Sequence, residues 1–322
     1  MADGATWTVA DVPDLSGTRA VVTGANSGLG FETARALARN GARVVMACRS
    51  TDRGADAAAE IREESPAGSL AVRELDLADL ESVRAFAGGV ADEEGDLDLL
   101  VNNAGVMAIP RRETADGFER QFGVNHLGHF ALAGRLLDCL AGSGDEARVV
   151  TVSSGMHRRG TVDFDDLQGE QSYDEWDAYA QSKLANLLFA FELQRRLDAA
   201  GLAVRSVGAH PGYADTALQF RGPEMSGSTV LRWMRKVANA LLAQPAERGA
   251  LPILYAATAP DVVGGGYYGP GGFMEMRGSP ERVEASDRAR DGATAERLWR
   301  VSERLTGVEY DLARPASPAT TD

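Results

Sequence analysis

Lysine is nearly absent from this 322-residue chain: Lys183 and Lys236 are the only two, and every other basic side chain is arginine. Cysteine is as scarce. Cys48 and Cys139 have neither CxxC spacing nor histidine-rich surroundings, which argues against a disulfide framework or a zinc site and fits a reducing, cytoplasmic setting. No metal is expected. No stretch approaches the roughly 18 uninterrupted apolar residues a membrane span needs. The first fifteen residues lack the basic and apolar blocks of a secretory signal. Positive charge is in deficit, with 33 Lys and Arg against 47 Asp and Glu, a net charge of −14. Nucleic acids and anionic membranes repel such a surface and are not expected as partners. A GC-rich genome and a high-salt cytoplasm both account for the arginine bias, and both readings stay open.

Apolar residues make up 44% of the chain, enough for a buried core. Strand and helix patterns alternate. Strands are expected at Arg19–Thr23, Ala42–Ala47, Leu70–Leu75, Leu97–Asn102, Arg148–Val152 and Val204–His210. Helices are expected at Leu29–Asn40, Arg53–Glu64, Leu80–Asp92, Phe118–Leu140 and Tyr179–Ala199. The strands are continuous and rich in β-branched residues, as in a parallel sheet covered on both faces. The fold class is therefore α/β, one Rossmann-type doubly wound parallel sheet. Residues 16–279 form this domain, after an N-terminal extension at 1–15. A substrate lid is expected at 213–250, with an amphipathic helix over Thr229–Leu242. Tyr267 and Tyr268 mark a last strand. Residues 280–322 are expected to hold a C-terminal helix, Ala295–Thr306, and a disordered tail.

A glycine cluster, Gly24-Ala25-Asn26-Ser27-Gly28-Leu29-Gly30, separates the first strand from the first helix. There the backbone can turn tightly and approach a pyrophosphate resting on the helix N-terminus. The spacing is GxxxGxG, and no Lys-Ser/Thr follows as a P-loop requires. At the end of the second strand, where an NAD enzyme places a carboxylate on the ribose hydroxyls, this chain has Arg49. A guanidinium there pairs with a 2′-phosphate, so NADP(H) is preferred and NAD(H) is the lesser option. Asp76 either faces the adenine amino group or caps the helix after Leu77.

Tyr179 and Lys183 stand four apart on an expected helix and share one face. Carbonyl reduction needs a proton donor at the oxygen while hydride reaches the carbon. A free tyrosine ionises near pH 10, and a nearby ammonium is expected to lower that value. An arginine could not serve a phenol and a ribose with one compact rotatable ammonium. Ser153-Ser154 follows the fifth strand and can hold the substrate oxygen in line. Asn125 sits in an otherwise apolar helix, where an amide is unfavourable unless it has a task. His126 and His129, three apart, are read as packing residues rather than metal ligands, and His157 could brush a substrate.

These motifs together resemble the short-chain dehydrogenase/reductase family over about residues 16–275: TGANSGLG at Thr23–Gly30, NNAG at Asn102–Gly105, VNHLGHF at Val124–Phe130, VSS at Val152–Ser154, YAQSK at Tyr179–Lys183 and HPG at His210–Gly212. The resemblance implies a tetrad of Asn125, Ser154, Tyr179 and Lys183. Asn125 is then expected to hold a water linking Lys183 to solvent. It also implies that Asn102, Ala104 and Gly105 line the adenine-ribose side, and that Pro211, Gly212 and Thr216 reach the nicotinamide. ANSGLGFETARALA, MACRS, YAQSKLANLLF and the gap of 25 residues from Ser154 to Tyr179 are similar to the branch of retinol dehydrogenases, the WW-domain oxidoreductase and protochlorophyllide reductases. The expected substrate is a small, fairly apolar carbonyl or alcohol, with a homo-oligomer as an option. A catalytically silent nucleotide sensor would lack the Tyr or Lys; a nucleotide-sugar epimerase would show GxxGxxG and a larger C-terminal domain.

Overall fold

The structure, a computed structural model, describes residues 6–143, 147–212 and 245–312. Apolar, β-branched segments form the parallel strands β1 (Arg19–Thr23), β2 (Arg43–Cys48), β3 (Ser69–Glu74), β4 (Leu99–Asn102), β5 (Ala147–Val152), β6 (Val204–Ala209) and β7 (Tyr267–Pro270). A short β8 (Pro280–Arg282) closes the sheet antiparallel to β7, with Gly269 opposite Glu281. The order is β3-β2-β1-β4-β5-β6-β7-β8. Strand order reverses between β1 and β4, and ligands in such sheets bind at the carboxyl ends of the strands flanking that switch.

Successive side chains enter opposite layers. Val22, Val44 and Met46 meet α1 (Gly28–Arg39) and α2 (Thr51–Glu63). Val21, Val45 and Leu100 meet the layer containing α3 (Leu80–Glu94). Helix ends follow local chemistry. The Asp79 carboxylate accepts from Glu81 N and Ser82 N to start α3, a cap worth about 1 kcal/mol. Asp174 caps α7 (Glu175–Ala200) in the same way, and Gly201, at φ +67°, ends it in the left-handed region.

The expected helix over Phe118–Leu140 is broken. It comprises α4 (Arg120–Phe122), a π-helical turn at Gly123–Leu127, α5 (Gly128–Arg135) and, beyond Leu136, α6 (Leu137–Ala141). A π turn inserts an extra residue and recurs at functional sites; this one contains Asn125. The last residues assigned to the lid, 246–250, instead begin α8 (Ala246–Thr258), which buries Ala250, Ile253 and Leu254 in the α1 layer. Residues 213–244, with the expected lid helix and Thr216, lie outside the described residues.

Described residues on both sides of the expected boundaries at 15 and 279 pack together. Trp7 donates its backbone N–H to Ser279 Oγ at 3.0 Å and packs edge-on against Tyr255. β8 completes the sheet, and α9 (Gly292–Thr306) buries Trp299 among Phe130, Phe189 and Tyr310. The expected tail, Arg314–Asp322, is outside the described residues. Among the described residues, no helix is long and apolar enough to cross a membrane.

Candidate active site

The first half of the site is a cleft above the carboxyl ends of β1, β2 and β4. Gly24, Asn26, Ser27, Gly28 and Leu29 line it from the glycine-rich turn, Arg49 from just after β2, Asp76 and Leu77 from the segment after β3, and Ala104 and Gly105 after β4. Gly24 and Gly28 adopt φ of +67° and +59°. Gly30 has no room for a side chain: a Cβ there would lie 2.5 Å from both the Gly24 carbonyl oxygen and Asn103 Nδ2. Ser27 occupies the N-cap position of α1, yet its hydroxyl does not cap the helix. The turn and the helix N-terminus together fit a pyrophosphate, so these residues meet the steric demands of a nicotinamide dinucleotide.

The Arg49 side chain is exposed along the cleft, and Arg53, in the first turn of α2, lines it too. Ser50 caps α2, accepting from Arg53 N. Sequence reasoning missed Arg53 and Arg120, both cleft residues, because it stopped at the strand end. Asp76 does not cap a helix; Asp79 does, while Asp76 Oδ1 accepts from Ala78 N at 3.0 Å. Asn102 is 1% exposed, is not among the residues lining the cleft, and its amide atoms have no hydrogen-bond partner. Its neighbour Asn103 faces the cleft and donates from Nδ2 to the Thr23 carbonyl at 2.8 Å. Strand alternation puts adjacent residues on opposite sides, and sequence alone did not settle which asparagine faced out.

Gly105 joins this cleft to the second half of the site. A Cβ on it would lie 3.0 Å from Asn125 Oδ1 and 3.7 Å from Lys183 Nζ. Tyr179 and Lys183 stand on one face of α7, with Lys183 Nζ 5.8 Å from the phenol ring centroid. Ser154, on the turn after β5, hydrogen-bonds the Tyr179 hydroxyl. The preceding Ser153 instead donates to the Lys183 backbone carbonyl at 2.7 Å. The four residues of the expected tetrad are therefore brought together.

Electrostatics differ from the sequence expectation. Burial pushes the Tyr179 phenol up to about 12, against the opposing effect of the Ser154 hydrogen bond. Burial also brings Lys183 down to about 8. The ammonium donates to the Val152 carbonyl at 3.1 Å rather than to the phenol. Desolvation thus outweighs attraction between the two groups in the protein alone.

Asn125 is held on three sides. Its Oδ1 accepts from Val106 N at 2.8 Å, and its Nδ2 donates to the Val106 carbonyl and to Ser182 Oγ, each at 2.9 Å. The histidines stay clear of the substrate side. His129 Nδ1 donates to the Asn125 carbonyl, and Nε2 accepts from the Thr23 hydroxyl. His126 contacts Ser302, and burial takes it down to about 3. His157 is fully buried, so it does not brush a substrate; it donates to the Ser154 carbonyl at 2.7 Å and accepts from Ser286 N. Among the described residues no group of three or more His, Cys, Asp or Glu could hold a metal. Beyond β6, Pro211 and Gly212 are partly exposed. Gly212, at φ +67°, is confined by the Met276 carbonyl, 2.6 Å from where its Cβ would be.

Comparison with known proteins agrees with this arrangement. Residues 18–225 match the family model described as short chain dehydrogenase. The chain is 44% identical to human retinol dehydrogenase 12 over 299 residues, covering 92% of this chain and 89% of that protein. It is 46% identical to mouse polyprenol dehydrogenase over 301 residues, covering 92% and 86%. An uncharacterized protein from Mycobacterium paratuberculosis superimposes with a TM-score of 0.78 at 45% identity, covering 95% of this chain and all (100%) of that one. A Beutenbergia cavernae protein described as an NAD(P)-dependent gluconate 5-dehydrogenase, with bound NADP, superimposes with a TM-score of 0.60 at 28% identity, covering 79% and 95%.

Proposed function

The chain belongs to the short-chain dehydrogenase family, oxidoreductases that act on CH–OH groups with NAD(P), and from that premise we propose that it passes a hydride between NADP(H) and an apolar ketone, aldehyde or alcohol, with Tyr179 as the general acid and base. The observation that carries the reading is the meeting of Tyr179, Ser154 and Lys183 beside Gly105, at the end of a glycine-lined cleft.

Gly24, Asn26, Ser27, Gly28, Leu29 and Gly30 would hold the pyrophosphate side of a bound dinucleotide. Asp76, Leu77, Asn103, Ala104 and Gly105 would hold the adenosine side, and Pro211 and Gly212 the nicotinamide side. When bound, the dinucleotide supplies or accepts the hydride. The protein supplies the rest. The Ser154 hydroxyl orients the substrate oxygen. Tyr179 Oη gives that oxygen a proton during reduction and takes one during oxidation. The Lys183 ammonium makes the surroundings of the phenol positive, and Asn125 fixes the Val106 backbone and the π turn beside it. Because burial alone holds the phenol near 12, proton transfer near neutrality depends on cationic charge in the assembled site.

Several observations support the finer choices. Arg49 and Arg53 line the cleft where a 2′-phosphate would lie, and the Beutenbergia relative carries NADP. Retinol and polyprenol, named in the two most informative relatives, are long apolar alcohols. The unpaired Cys48 and Cys139 are consistent with a cytoplasmic setting. The test is a panel of aldehydes, ketones and alcohols of graded chain length, followed by nicotinamide absorbance with each cofactor. Turnover with NADP(H) that improves with apolar chain length is expected. No turnover, or a preference for NAD(H), overturns the proposal.

A further inference from the structure

One half-buried carboxylate joins the two turns that hydride transfer must keep in register. Glu275 Oε1 accepts from an Arg158 guanidinium nitrogen at 2.9 Å, and Arg158 lies on the turn that begins at Ser154. Glu275 Oε2 lies 3.3 Å from His210 Nε2. The His210 ring is buried at the end of β6 and accepts at Nδ1 from Gly212 N, also at 3.3 Å. That acceptor role places the ring proton on Nε2, facing the carboxylate. The Nε2 contact is poorly aligned, so it is an electrostatic contact rather than a finished hydrogen bond; such bonds often tighten only when a site is loaded.

The local backbone is strained to make this bridge. Met274 and Glu275 adopt φ of +53° and +55° without being glycines, a conformation that persists only where the surroundings enforce it. Enforcement is visible. The Glu275 and Met276 carbonyls lie where a Cβ on Gly212 would meet them at 3.0 and 2.6 Å, and Tyr267 packs tilted against His210 at 5.1 Å while meeting His157 edge-on at 5.4 Å. His157 in turn holds the Ser154 carbonyl.

We propose that Glu275 is a positioning residue that sets the spacing between the substrate-orienting turn after Ser154 and the nicotinamide-side turn at Gly212. This rests on the hydride-transfer reading above. A displacement of about 1 Å between reacting groups can cost on the order of a hundredfold in rate, so a bridge between the two turns acts on the chemical step. The adenosine end of the cleft touches none of these residues.

The test uses the full chain. Glu275→Ala should lower the single-turnover rate with NADPH and an aldehyde by roughly 10- to 100-fold, while NADPH affinity changes less than about threefold. Glu275→Gln, which keeps a neutral acceptor, should recover part of that rate. Equal loss of affinity and rate, or no loss of rate, overturns the proposal. A wild-type protein without NADP(H) turnover would instead sink the functional reading. A second measurement needs no variant: nitrogen chemical shifts of the four histidines in the NADPH complex. His210 should carry its proton on Nε2, whereas His157 and His129 carry theirs on Nδ1. A His210 proton on Nδ1 contradicts the bridge.

Discussion

Replacing Lys183 by methionine should make the protein more stable while stopping its chemistry. The side chain is 3% exposed, and burial lowers its ionisation from 10.5 to about 8. At about 1.36 kcal/mol per pH unit, carrying that ammonium in the folded state costs roughly 3 kcal/mol. Methionine fills similar space without charge. It forfeits the Nζ bond to the Val152 carbonyl, about 1.5 kcal/mol. That carbonyl is not orphaned, because Asn186 Nδ2 still donates to it at 3.0 Å. The net gain is about 1–2 kcal/mol at neutral pH, a rise of a few degrees in unfolding midpoint.

The pH dependence identifies the cause. Below about 8 the lysine is protonated in folded and unfolded chains alike, and the folded state bears the full penalty. Between about 8 and 10.5 the folded protein releases the proton while the unfolded chain keeps it. Wild-type stability therefore gains on the variant as pH rises through that window. Denaturant unfolding of both proteins at pH steps across it measures the gap. A methionine variant less stable at neutral pH, or a gap that does not narrow, refutes the reasoning.

Two other substitutions probe separate parts. Arg49→Asp should weaken NADP(H) binding by roughly 10- to 100-fold, the value of a lost charge-assisted bond, and spare NAD(H), as read by titration of each cofactor; parallel loss of both contradicts the 2′-phosphate assignment. Trp299→Ala should cost about 3–5 kcal/mol in denaturant unfolding, since the indole is 2% exposed and packed against Phe130, Phe189 and Tyr310; a small loss would contradict the packing of α9 into the core.

The elements legible in the sequence were those with a strong period or a strong punctuating residue. β1 was found to the residue, because Arg19–Thr23 is an apolar run closed by Gly24. Tyr179 and Lys183 were legible because a four-residue spacing fixes a shared helical face. α8 was not, since Gly249 and Pro252 disfavour a helix locally; packing of Ile253 and Leu254 into the α1 layer overrides that propensity. The π turn at Asn125 has no periodic signature and depends on the grip of Val106 and Ser182. The outward asparagine, 103 rather than 102, depended on where β4 ended. The upward displacement of the Tyr179 phenol depended on burial, which spacing does not reveal.

The central claim is that the Tyr179 hydroxyl carries the proton, and one paired measurement tests it. NADPH binding and single-turnover reduction of an apolar aldehyde are read from the same samples of wild-type protein and Tyr179→Phe. The substitution keeps the ring in its 5%-exposed seat on α7 and removes only the hydroxyl that meets Ser154. The account predicts NADPH affinity within about threefold of wild type and a rate lowered by about 10²- to 10⁴-fold, the range for a lost general acid. A phenylalanine variant that retains a substantial fraction of the wild-type rate would contradict it.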